Sequence, residues 1–246
     1  MARRFKDIHE AYLGILNDVW FNPEFVCAPR GMNIKEILNY QFTIVNPTSD
    51  SIKTCDKERN KTIAEYTKKE MILYDSGTNK VEDFAKASKF WNKIANPDKT
   101  VNSAYGHLIW VKRSLGNAKY SQDQKRMTPW EWAKQCLIED KDSRQAILRF
   151  SLPEHHWKGN KDFVCTLNGI FFIREDKLHF SIIMRSNDIV KGITYDLPWF
   201  CSLMDKMVHE LKQYYPKLEK GQYTHLSHSM HAYERDEKTI LKMLGK

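Results

Sequence analysis

A cysteine and an arginine twenty positions apart are the residues of this chain best suited to covalent chemistry. Cys165 stands in the run DFVCT, which has strand-like composition, and Arg185 directly follows the strand-like run HFSIIM. A free thiol has a pKa of about 8.5 and attacks carbon as the thiolate, a form that a neighbouring guanidinium stabilises. Considered without its neighbours, Cys165 is better explained as a small buried apolar residue.

The segment RSNDIVKGITYD, residues 185–196, concentrates polar groups where the predicted strand ends. In LHFSIIM, residues 178, 180, 182 and 184 face one way, so the alternation predicts that Arg185 leaves on the opposite, more polar face. Asp196 closes the segment and precedes a long amphipathic pattern. An aspartate there is a favoured helix N-cap, contributing about 1 kcal/mol. Recognition of a ligand is the alternative role for this carboxylate.

The elements that must position these residues are predicted by apolar spacing and turn residues. Helical spacing occurs at 5–20, 62–75, 81–95 and 197–215, and Thr128 with Pro129 begins a further helix at 128–140. Strand-like runs occupy 41–45, 146–150, 163–173 and 178–184, with REDK (174–177) as a hairpin turn. Residues 48–62 are polar and predict a surface loop. Helices before and after a group of strands favour a single α+β domain over residues 1–246.

The composition limits the class and location of the protein. No apolar run in the 246 residues approaches the ~18 that a membrane span needs. The first residues, MARRFKDIHE, lack an apolar signal region, so we expect a cytoplasmic protein without membrane contact. Five cysteines without C-x-x-C or zinc-finger spacing argue against a disulfide framework and against a metal site.

A net charge of +8 favours anionic ligands, which include nucleic acid and phosphorylated small molecules. The Lys and Arg residues are scattered, with no run longer than two, and no nucleic-acid recognition motif is evident. A solvated basic surface is the simplest explanation of the charge. A non-catalytic, basic nucleic-acid-binding protein is therefore the rival interpretation from another functional class.

Short motifs along the chain resemble, in their order, those of the thymidylate synthase superfamily. The motifs are Arg30-Gly31, KEMILYDSGTN (69–79), Trp91 in KFWNKIA, NSAYG (102–106), DSRQA (142–146), DFVCT (162–166), RSNDIVKGITYD (185–196) and HSMHAY (228–233). They run from about residue 30 to residue 233. The branch that they most resemble contains the phage deoxycytidylate hydroxymethylases. Each motif is weak alone, and their shared order makes the resemblance specific.

The resemblance implies a fold, an assembly and a reaction. We expect a mixed β-sheet flanked by helices, with one face of the sheet forming a homodimer interface. The implied reaction transfers a one-carbon unit from 5,10-methylenetetrahydrofolate to carbon 5 of a pyrimidine nucleoside monophosphate. A covalent bond between Cys165 and ring carbon 6 would make carbon 5 nucleophilic. Such a reaction requires neither a metal nor nucleic acid.

The resemblance also implies which residues would hold the two ligands. The nucleotide set is Arg30, Arg144, Arg185, Ser186, Asp188, Gly192, Asp196, His231 and Tyr233. Arg30 and Arg185 would grip the 5′-phosphate, and Arg144 would reach the site of the partner subunit. His231 and Tyr233 would hold the sugar hydroxyl. The folate set is Glu70, Trp91, Asp188 and Gly192.

The implied catalytic set is Cys165, Glu70, Tyr105, Arg185 and Asp196. Glu70 would organise water and proton transfer around the ring, and Tyr105 would assist proton removal at carbon 5. Each of these residues has a structural alternative: Glu70 as an exposed helix acid, Trp91 as a core aromatic and Gly192 as a turn glycine. All of these alternatives would have to hold at once, which disfavours them jointly.

Asp196 decides which base we expect. Uracil-using members of the family have asparagine here, whose amide donates to uracil O4 and accepts from the N3–H. Cytosine presents an amino donor and an unprotonated ring nitrogen. A carboxylate accepts from that amino group, and a proton on the acid or on the ring completes a second hydrogen bond. Asparagine caps helices as well as aspartate does, so capping alone does not explain the residue. We therefore expect dCMP or CMP as substrate.

The product depends on whether water or hydride completes the reaction. Thr166 stands where methylating enzymes typically have histidine, and Gln145 stands where many relatives have a second arginine. The tail TILKMLGK also differs from the usual closing tail of the thymidylate-forming enzymes. These features favour hydroxymethylation by water, with methylation of dCMP, CMP or dUMP as the alternative. The Lys-, Asn- and Ile-rich composition is typical of an AT-rich genome such as that of a phage, and no residue separates ribose from deoxyribose.

Overall fold

The computed structural model describes residues 3–111 and 127–246, which form a β-sheet covered by helices. The helices are α1 (Ile8–Phe21), α2 (Lys57–Ser76), α3 (Val81–Ala87), α4 (Trp91–Ile94), α5 (Tyr105–Trp110), α6 (Pro129–Glu139), α7 (Ile193–Leu211) and α8 (Glu237–Leu244). The strands are β1 (Arg3–Phe5), β2 (Phe25–Cys27), β3 (Ile34–Ile44), β4 (Ile147–Arg149), β5 (Thr166–Arg174), β6 (Lys177–Met184), β7 (Asn187–Asp188) and β8 (Glu219–Tyr233). Short 3₁₀ turns lie at Pro29–Gly31, Pro153–His155 and Glu234–Asp236.

All the strands of the described residues belong to one mixed sheet. Its order is β1-β3-β8-β6-β5-β4, with β2 paired to β3 and β7 paired to β8. The pairs β1–β3, β6–β8 and β7–β8 are parallel. The remaining pairs are antiparallel. The predicted α+β class and the mixed sheet flanked by helices are therefore confirmed.

One face of this sheet meets the helices and forms the core. Residues 178, 180, 182 and 184 of β6 are all buried on this face, as their alternation predicted. Phe171 of β5 stacks on Phe180 with 4.0 Å between the ring centroids. Helix α7 packs on β6 and β8 and buries Trp199 and Phe200 there. Removal of these large apolar surfaces from water is the main stabilising contribution to the fold.

The opposite face of the sheet is partly exposed and largely apolar or uncharged. It carries Ile170, Phe172, Ile183 and Leu226, all half-buried. This is the face on which the predicted homodimer interface would lie, and the interface stays a prediction.

Two local predictions from turn and cap residues are confirmed. The REDK turn joins β5 to β6, with Glu175 and Asp176 both in the left-handed region at φ 49° and 56°. Helix α6 begins with a capping box, in which the Thr128 hydroxyl accepts from the Glu131 N–H and the Glu131 carboxylate accepts from the Thr128 N–H. Each of these signals depends only on neighbouring residues, which is why the sequence reveals them.

Two elements are longer than the apolar spacing predicted. Strand β3 begins at Ile34, well before the predicted start at 41, because it pairs with β8 along its length. Helix α2 begins inside the predicted loop, where the Asp56 side chain caps it by accepting from the Glu58 and Arg59 N–H groups. The additional turn of α2 carries polar, partly exposed side chains, and the added part of β3 mixes Ile34, Ile37 and Leu38 with polar residues without regular alternation. Hydrophobic periodicity therefore does not detect them.

Two predicted elements are shorter or broken. The strand predicted over 163–173 begins only at Thr166, so Cys165 precedes the strand. The Arg185 side chain donates hydrogen bonds to the carbonyls of Phe163 and Val164. In a longer β5, these carbonyls would pair with a neighbouring strand instead. The helix predicted over 81–95 is interrupted between α3 and α4. That break lets Trp91 pack edge-to-face on Phe84, with 4.8 Å between centroids.

Helix α7 begins at Ile193, four residues before its predicted start, and ends at Leu211. Its N-cap is Gly192, and Asp196 lies within the first turn. The N-cap explanation of Asp196 is therefore wrong, because a residue inside the turn already has its N–H directed to the Gly192 carbonyl. Among the described residues, no helix is long and apolar enough to cross a membrane.

We predict that Gly106→Ala destabilises the protein by about 2–3 kcal/mol, because overpacking between helices forces them apart. A Cβ at Gly106 would lie 1.7 Å from the Tyr74 carbonyl oxygen of α2. Urea denaturation measures the free energy of unfolding. The Glu65→Ala substitution at an exposed position of α2 is the control and should change it by under ~0.5 kcal/mol. Equal stability of the Gly106 variant and the wild type would contradict this close approach.

Candidate active site

The site is built around a set of hydrogen bonds that connect Arg185, at the end of β6, to the segment that precedes β5. The Arg185 Nε donates to the Val164 carbonyl at 3.0 Å, and Nη2 donates to the Phe163 carbonyl. The same Nη2 lies 3.5 Å from Cys165 Sγ. The Arg185 N–H also donates to the Cys165 carbonyl at 2.8 Å. The predicted proximity of thiol and guanidinium is therefore present, and in the described part of the chain no hydrogen bond uses Nη1.

The surroundings of Cys165 change the pKa of its thiol in opposite directions. Burial raises the pKa of Cys165 to about 11, and the nearby carboxylates of Asp196, Asp162 and Asp188 add to the rise. The Arg185 guanidinium opposes it. The thiol is thus protonated at neutral pH, and its conversion to the nucleophilic thiolate depends on the positive charge beside it.

Asp196 faces the same interior. Its Oδ2 accepts from the Asn187 side-chain amide at 2.9 Å. Burial raises the pKa of Asp196 to about 7, the Asn187 hydrogen bond lowers it, and the charge of Asp188 raises it. A carboxyl with this pKa exchanges a proton readily near neutral pH, as a general acid or base must.

Glu70 of α2 is a second buried carboxyl of this cluster and is only 7% exposed, so its interpretation as an exposed helix acid is wrong. Burial, followed by the charge of Asp196, raises its pKa to about 8. The Tyr66 hydroxyl donates to Glu70 Oε1 at 3.1 Å and accepts from the Trp91 indole N–H at 3.1 Å. A chain of hydrogen bonds therefore runs from Trp91 to Glu70.

Tyr105 begins α5 and is buried in the same cluster. Burial, and then the charges of Asp196 and Cys165, hold the pKa of its phenol well above the usual value. Two residues before it, the Ser103 N–H and hydroxyl both donate to the buried carboxylate of Asp162. The segment with Tyr105 is thereby joined to the segment that carries Cys165.

The predicted sugar-binding residues lie where β7 pairs with β8. Asp188 is in register with His231, and the Ser186 hydroxyl lies 3.5 Å from His231 Nδ1. The rings of His231 and Tyr233 meet edge-to-face with 5.4 Å between centroids. These residues come from two motifs that are about 40 residues apart in the chain, and the parallel pairing brings them together.

Gly192 lies between Asp188 and Asp196, where backbone and carboxylate leave little room. A Cβ at this position would lie 2.8 Å from the Asp188 carbonyl oxygen and 3.5 Å from Asp196 Oδ2. Its φ is −97°, so close packing explains the glycine and a left-handed turn does not. Asp188 Oδ1 accepts from the Val190 and Lys191 N–H groups, which fixes this bend.

Arg30 and Arg144 are exposed and stand apart from this cluster. Arg30 occupies the left-handed region at φ 53° in the Pro29–Gly31 turn. In the ranges 3–111 and 127–246, no hydrogen bond or ion pair joins either arginine to Cys165 or Arg185. The structure therefore brings together the other predicted site residues and leaves these two at the surface.

Three residues of the cluster had no role predicted from the sequence, namely Asn187, Tyr66 and Asp162. Tyr66 is one helical turn before Glu70, so spacing on α2 could have indicated that pair. Asn187 and Asp162 act through residues of other elements. No local pattern reveals such contacts. In the described part of the chain, no group of three or more His, Cys, Asp or Glu residues is arranged to hold a metal ion.

We predict that Arg185→Gln moves the pH profile of Cys165 alkylation to higher pH. Arg185 stabilises the thiolate, so its loss raises the pKa of Cys165 above about 11. If that pKa rises by about one, the thiolate fraction at a fixed lower pH falls about tenfold. Iodoacetamide labelling with peptide mass spectrometry gives the rate at Cys165, with the exposed Cys27 and Cys55 as references in the same sample.

Arg174→Gln is the matched control for this measurement. Arg174 also donates to backbone carbonyls, those of Ile173 and Asp142, and has no described contact with a cysteine. Its replacement should leave the Cys165 profile unchanged. An identical profile for Arg185→Gln and the wild type would show that the guanidinium does not act on the thiol.

Comparison with known proteins places the chain and its fold in one family. The model of the thymidylate synthase family matches residues 11–246. The deoxycytidylate 5-hydroxymethyltransferase of Enterobacteria phage T6 is 30% identical over 181 residues, which is 70% of this chain and 68% of that protein. The enzyme of the same description from Enterobacteria phage T4 is 31% identical over 155 residues, 60% of this chain and 57% of that protein.

The fold is also that of a solved member of the family. Thermostable thymidylate synthase A from Bacillus subtilis has a TM-score of 0.69 to this structure at 18% sequence identity. The superposition covers 97% of this chain and 84% of that chain. With the family model matching nearly the whole sequence, the chain belongs to the thymidylate synthase family, whose members are transferases.

Proposed function

We propose that this protein is a pyrimidine nucleotide C5-hydroxymethyltransferase that acts on dCMP or CMP. It would transfer a one-carbon unit from 5,10-methylenetetrahydrofolate and yield the 5-hydroxymethyl nucleotide through a covalent adduct with Cys165. The observation that carries the proposal is the buried Asp196, which faces the Cys165 cluster and accepts from Asn187. Uracil-using relatives have asparagine there, and the T6 phage relative is a deoxycytidylate enzyme.

Cys165 is the proposed nucleophile and Arg185 its activator. The thiolate would add to ring carbon 6, and the electron pair of the carbon 5–carbon 6 double bond would move towards N3 of cytosine. A proton from Asp196 would neutralise that nitrogen, for which a pKa of about 7 is well suited. Carbon 5 then has the electron density to attack the one-carbon unit.

Glu70 and Tyr105 are proposed to move protons around the ring. With a pKa of about 8, Glu70 holds a proton near neutral pH and can return it after one step. Tyr105 would assist removal of the proton at carbon 5. The hydrogen bond from Tyr66 fixes the orientation of the Glu70 carboxyl.

The phosphate and the sugar would be held at opposite ends of the cluster. Arg185 has Nη1 available, since its described hydrogen bonds use Nε and Nη2. Arg30 would join it, and Arg144 would come from a partner subunit in a homodimer. Ser186, His231 and Tyr233 would bind the sugar hydroxyl at the β7–β8 pair.

The residues proposed for the folate suit a planar heterocycle with N–H donors. Asp188 uses one oxygen for backbone N–H groups, and no hydrogen bond of the described residues uses Oδ2. Gly192 has no side chain, so the backbone beside Asp188 stays accessible to a ligand. Trp91 supplies an aromatic edge and Glu70 a carboxyl. The folate would supply the one-carbon unit, while these residues orient it over the base.

Two features support water, and not hydride, as the final reactant. Thr166 is a small polar residue beside Tyr105, where a hydroxyl can hydrogen-bond to water. The segment TILKMLGK forms part of α8, whose Ile240 and Met243 are buried, and the Tyr12 hydroxyl contacts Met243 Sδ at 3.5 Å. Because this tail is packed into the core and differs from the closing tail of the thymidylate-forming enzymes, it would not close over the site. Water would then have access to the one-carbon unit.

We predict that Asp196→Asn shifts the substrate preference from dCMP towards dUMP. Loss of a hydrogen-bond match of this kind can change discrimination by a factor of roughly 10⁴. Products from dCMP, CMP and dUMP, each supplied with methylenetetrahydrofolate, are identified by mass spectrometry, which also separates hydroxymethyl from methyl. Equal turnover of cytosine and uracil nucleotides by both proteins would contradict the role of Asp196.

Cys165→Ser is the control for these reactions, because serine lacks the thiolate. It should abolish tritium release from carbon-5-labelled dCMP and CMP. Absence of release from the wild type as well would favour the non-catalytic, nucleic-acid-binding interpretation.

We also predict that Cys165→Ser and Arg144→Ala complement each other when mixed. If Arg144 completes the partner subunit's site, a mixed dimer has one site with both natural residues and one with neither. Random re-association of two inactive parents should restore about one site in four. Activity of the refolded mixture, with sedimentation to measure the oligomer, tests this. No gain over the parents would contradict a shared site.

A further inference from the structure

Asn187 has an unusual hydrogen-bonding state for a buried asparagine. It is 2% exposed and lies at the start of β7. Its Nδ2 donates to Asp196 Oδ2 at 2.9 Å and also contacts Met184 Sδ at 2.8 Å. Its Oδ1 is buried without a hydrogen-bond partner among the described residues. An asparagine retained only to stabilise the fold would be expected to satisfy both ends of its amide.

We propose that Asn187 is the residue that positions Asp196 and sets its protonation, and so determines how strongly the site prefers a cytosine over a uracil nucleotide. This inference rests on the proposed function and deepens it. Asn187 would act through Asp196, so it is a positioning residue.

The placement of Asn187 explains why it can hold Asp196 in one orientation. Its backbone is fixed by the pairing of β7 with β8, opposite Met230. Asp196 belongs to a different element, the first turn of α7. The amide therefore ties the start of α7 to the sheet. With one lone pair of Oδ2 occupied by the amide, Oδ1 and the second lone pair of Oδ2 are left for a ligand.

The charges around Asp196 make this single donor important. The groups that interact with it electrostatically are Glu70 and Tyr74 of α2, Tyr105 of α5, Tyr223 of β8, Asp188 of β7, and Cys165. Each is an acid that is neutral or negative. Among the described residues, the Asn187 hydrogen bond is the contact that favours the ionised form of Asp196. Its loss would raise the pKa of Asp196.

The protonation of Asp196 matters because it changes which base the site can accept. A protonated carboxyl has one donor and one acceptor, so it can pair with the O4 and N3–H of uracil or with the amino group and N3 of cytosine. An ionised carboxylate only accepts, so with cytosine it gains the amino hydrogen bond but faces the lone pair of N3, and with uracil it gains the N3–H hydrogen bond but faces O4. Cytosine N3 is much more basic than uracil O4, so the cytosine complex keeps a proton between base and carboxyl, and both hydrogen bonds, to higher pH. Discrimination should therefore increase as pH rises through the pKa that Asp196 has in the uracil complex.

The test is the ratio of dCMP to dUMP affinity as a function of pH, measured by calorimetry without folate. Ionisation of the phosphate is common to both nucleotides and cancels in the ratio. Ionisation of the free protein cancels in the same way, so we expect the wild-type ratio to increase with pH with a midpoint at the pKa that Asp196 has in the dUMP complex. In Asn187→Ala the midpoint should move to a pH higher by about one, which lowers the ratio up to about tenfold between the two midpoints.

Two further variants separate this effect from a general loss of structure. Asn187→Ser keeps a hydroxyl donor and should show a midpoint between those of the wild type and Asn187→Ala. Asn60→Ala removes the hydrogen bonds of Asn60 with Thr54, away from Asp196, and should leave the midpoint unchanged. Proportional loss of both affinities in Asn187→Ala, with the midpoint unmoved, would overturn the proposal.

A second measurement on the free protein does not depend on the nucleotide. Carbon-13 NMR of labelled aspartate carboxyls, with the signal of residue 196 assigned by its absence in Asp196→Asn, gives the pKa of Asp196 directly. An unchanged pKa in Asn187→Ala overturns the proposal even if the wild type prefers dCMP. A raised pKa in a protein that binds dCMP and dUMP equally would instead refute cytosine recognition by Asp196, and the specificity role of Asn187 with it.

Discussion

The guanidinium of Arg185 is the interaction on which the site depends. It extends from the end of β6, donates hydrogen bonds to the carbonyls of Phe163 and Val164, and contacts Cys165 Sγ. These carbonyls would otherwise be unpaired at the point where β5 begins, and an unpaired buried carbonyl is costly. One side chain thus stabilises the backbone before the strand, fixes the position of the thiol and supplies the positive charge that the thiolate needs.

Around the Arg185 guanidinium the site holds several acids. Burial raises the pKa values of Cys165, Glu70 and Asp196, and the charge of Asp196 raises those of Cys165 and Glu70 further. Such a cluster is unfavourable for stability, because buried ionisable groups lose their hydration. It is favourable for proton transfer, because the groups change protonation close to neutral pH. The surrounding aromatic packing, such as Tyr105 against Trp199 at 5.6 Å between centroids, contributes the apolar burial that offsets this cost.

The connections between elements are made by a few polar contacts across the core. Asp162 joins the loop before α5 to the segment before β5, through Ser103. Tyr66 joins α2 to Trp91, and Asn187 joins β7 to α7. Because each contact spans two elements, the relative positions of Cys165, Glu70, Tyr105 and Asp196 follow from the tertiary structure and not from any one helix or strand.

Local signals in the amino-acid sequence are sufficient to predict the alternation of β6, the REDK hairpin and the capping box of α6. Its motifs, read in order, were also enough to identify the thymidylate synthase family and to select residues that, apart from Arg30 and Arg144, the fold gathers into one cluster. Apolar spacing failed where a paired strand lacks regular alternation, as in the first half of β3, and where a side chain replaces backbone pairing, as at Cys165. The position of Asp196 inside α7 beside Asn187, and the rise of its pKa to about 7, follow from the packing of the whole chain. Burial and hydrogen-bond partners come from elements distant in the chain, and local sequence does not encode their distances.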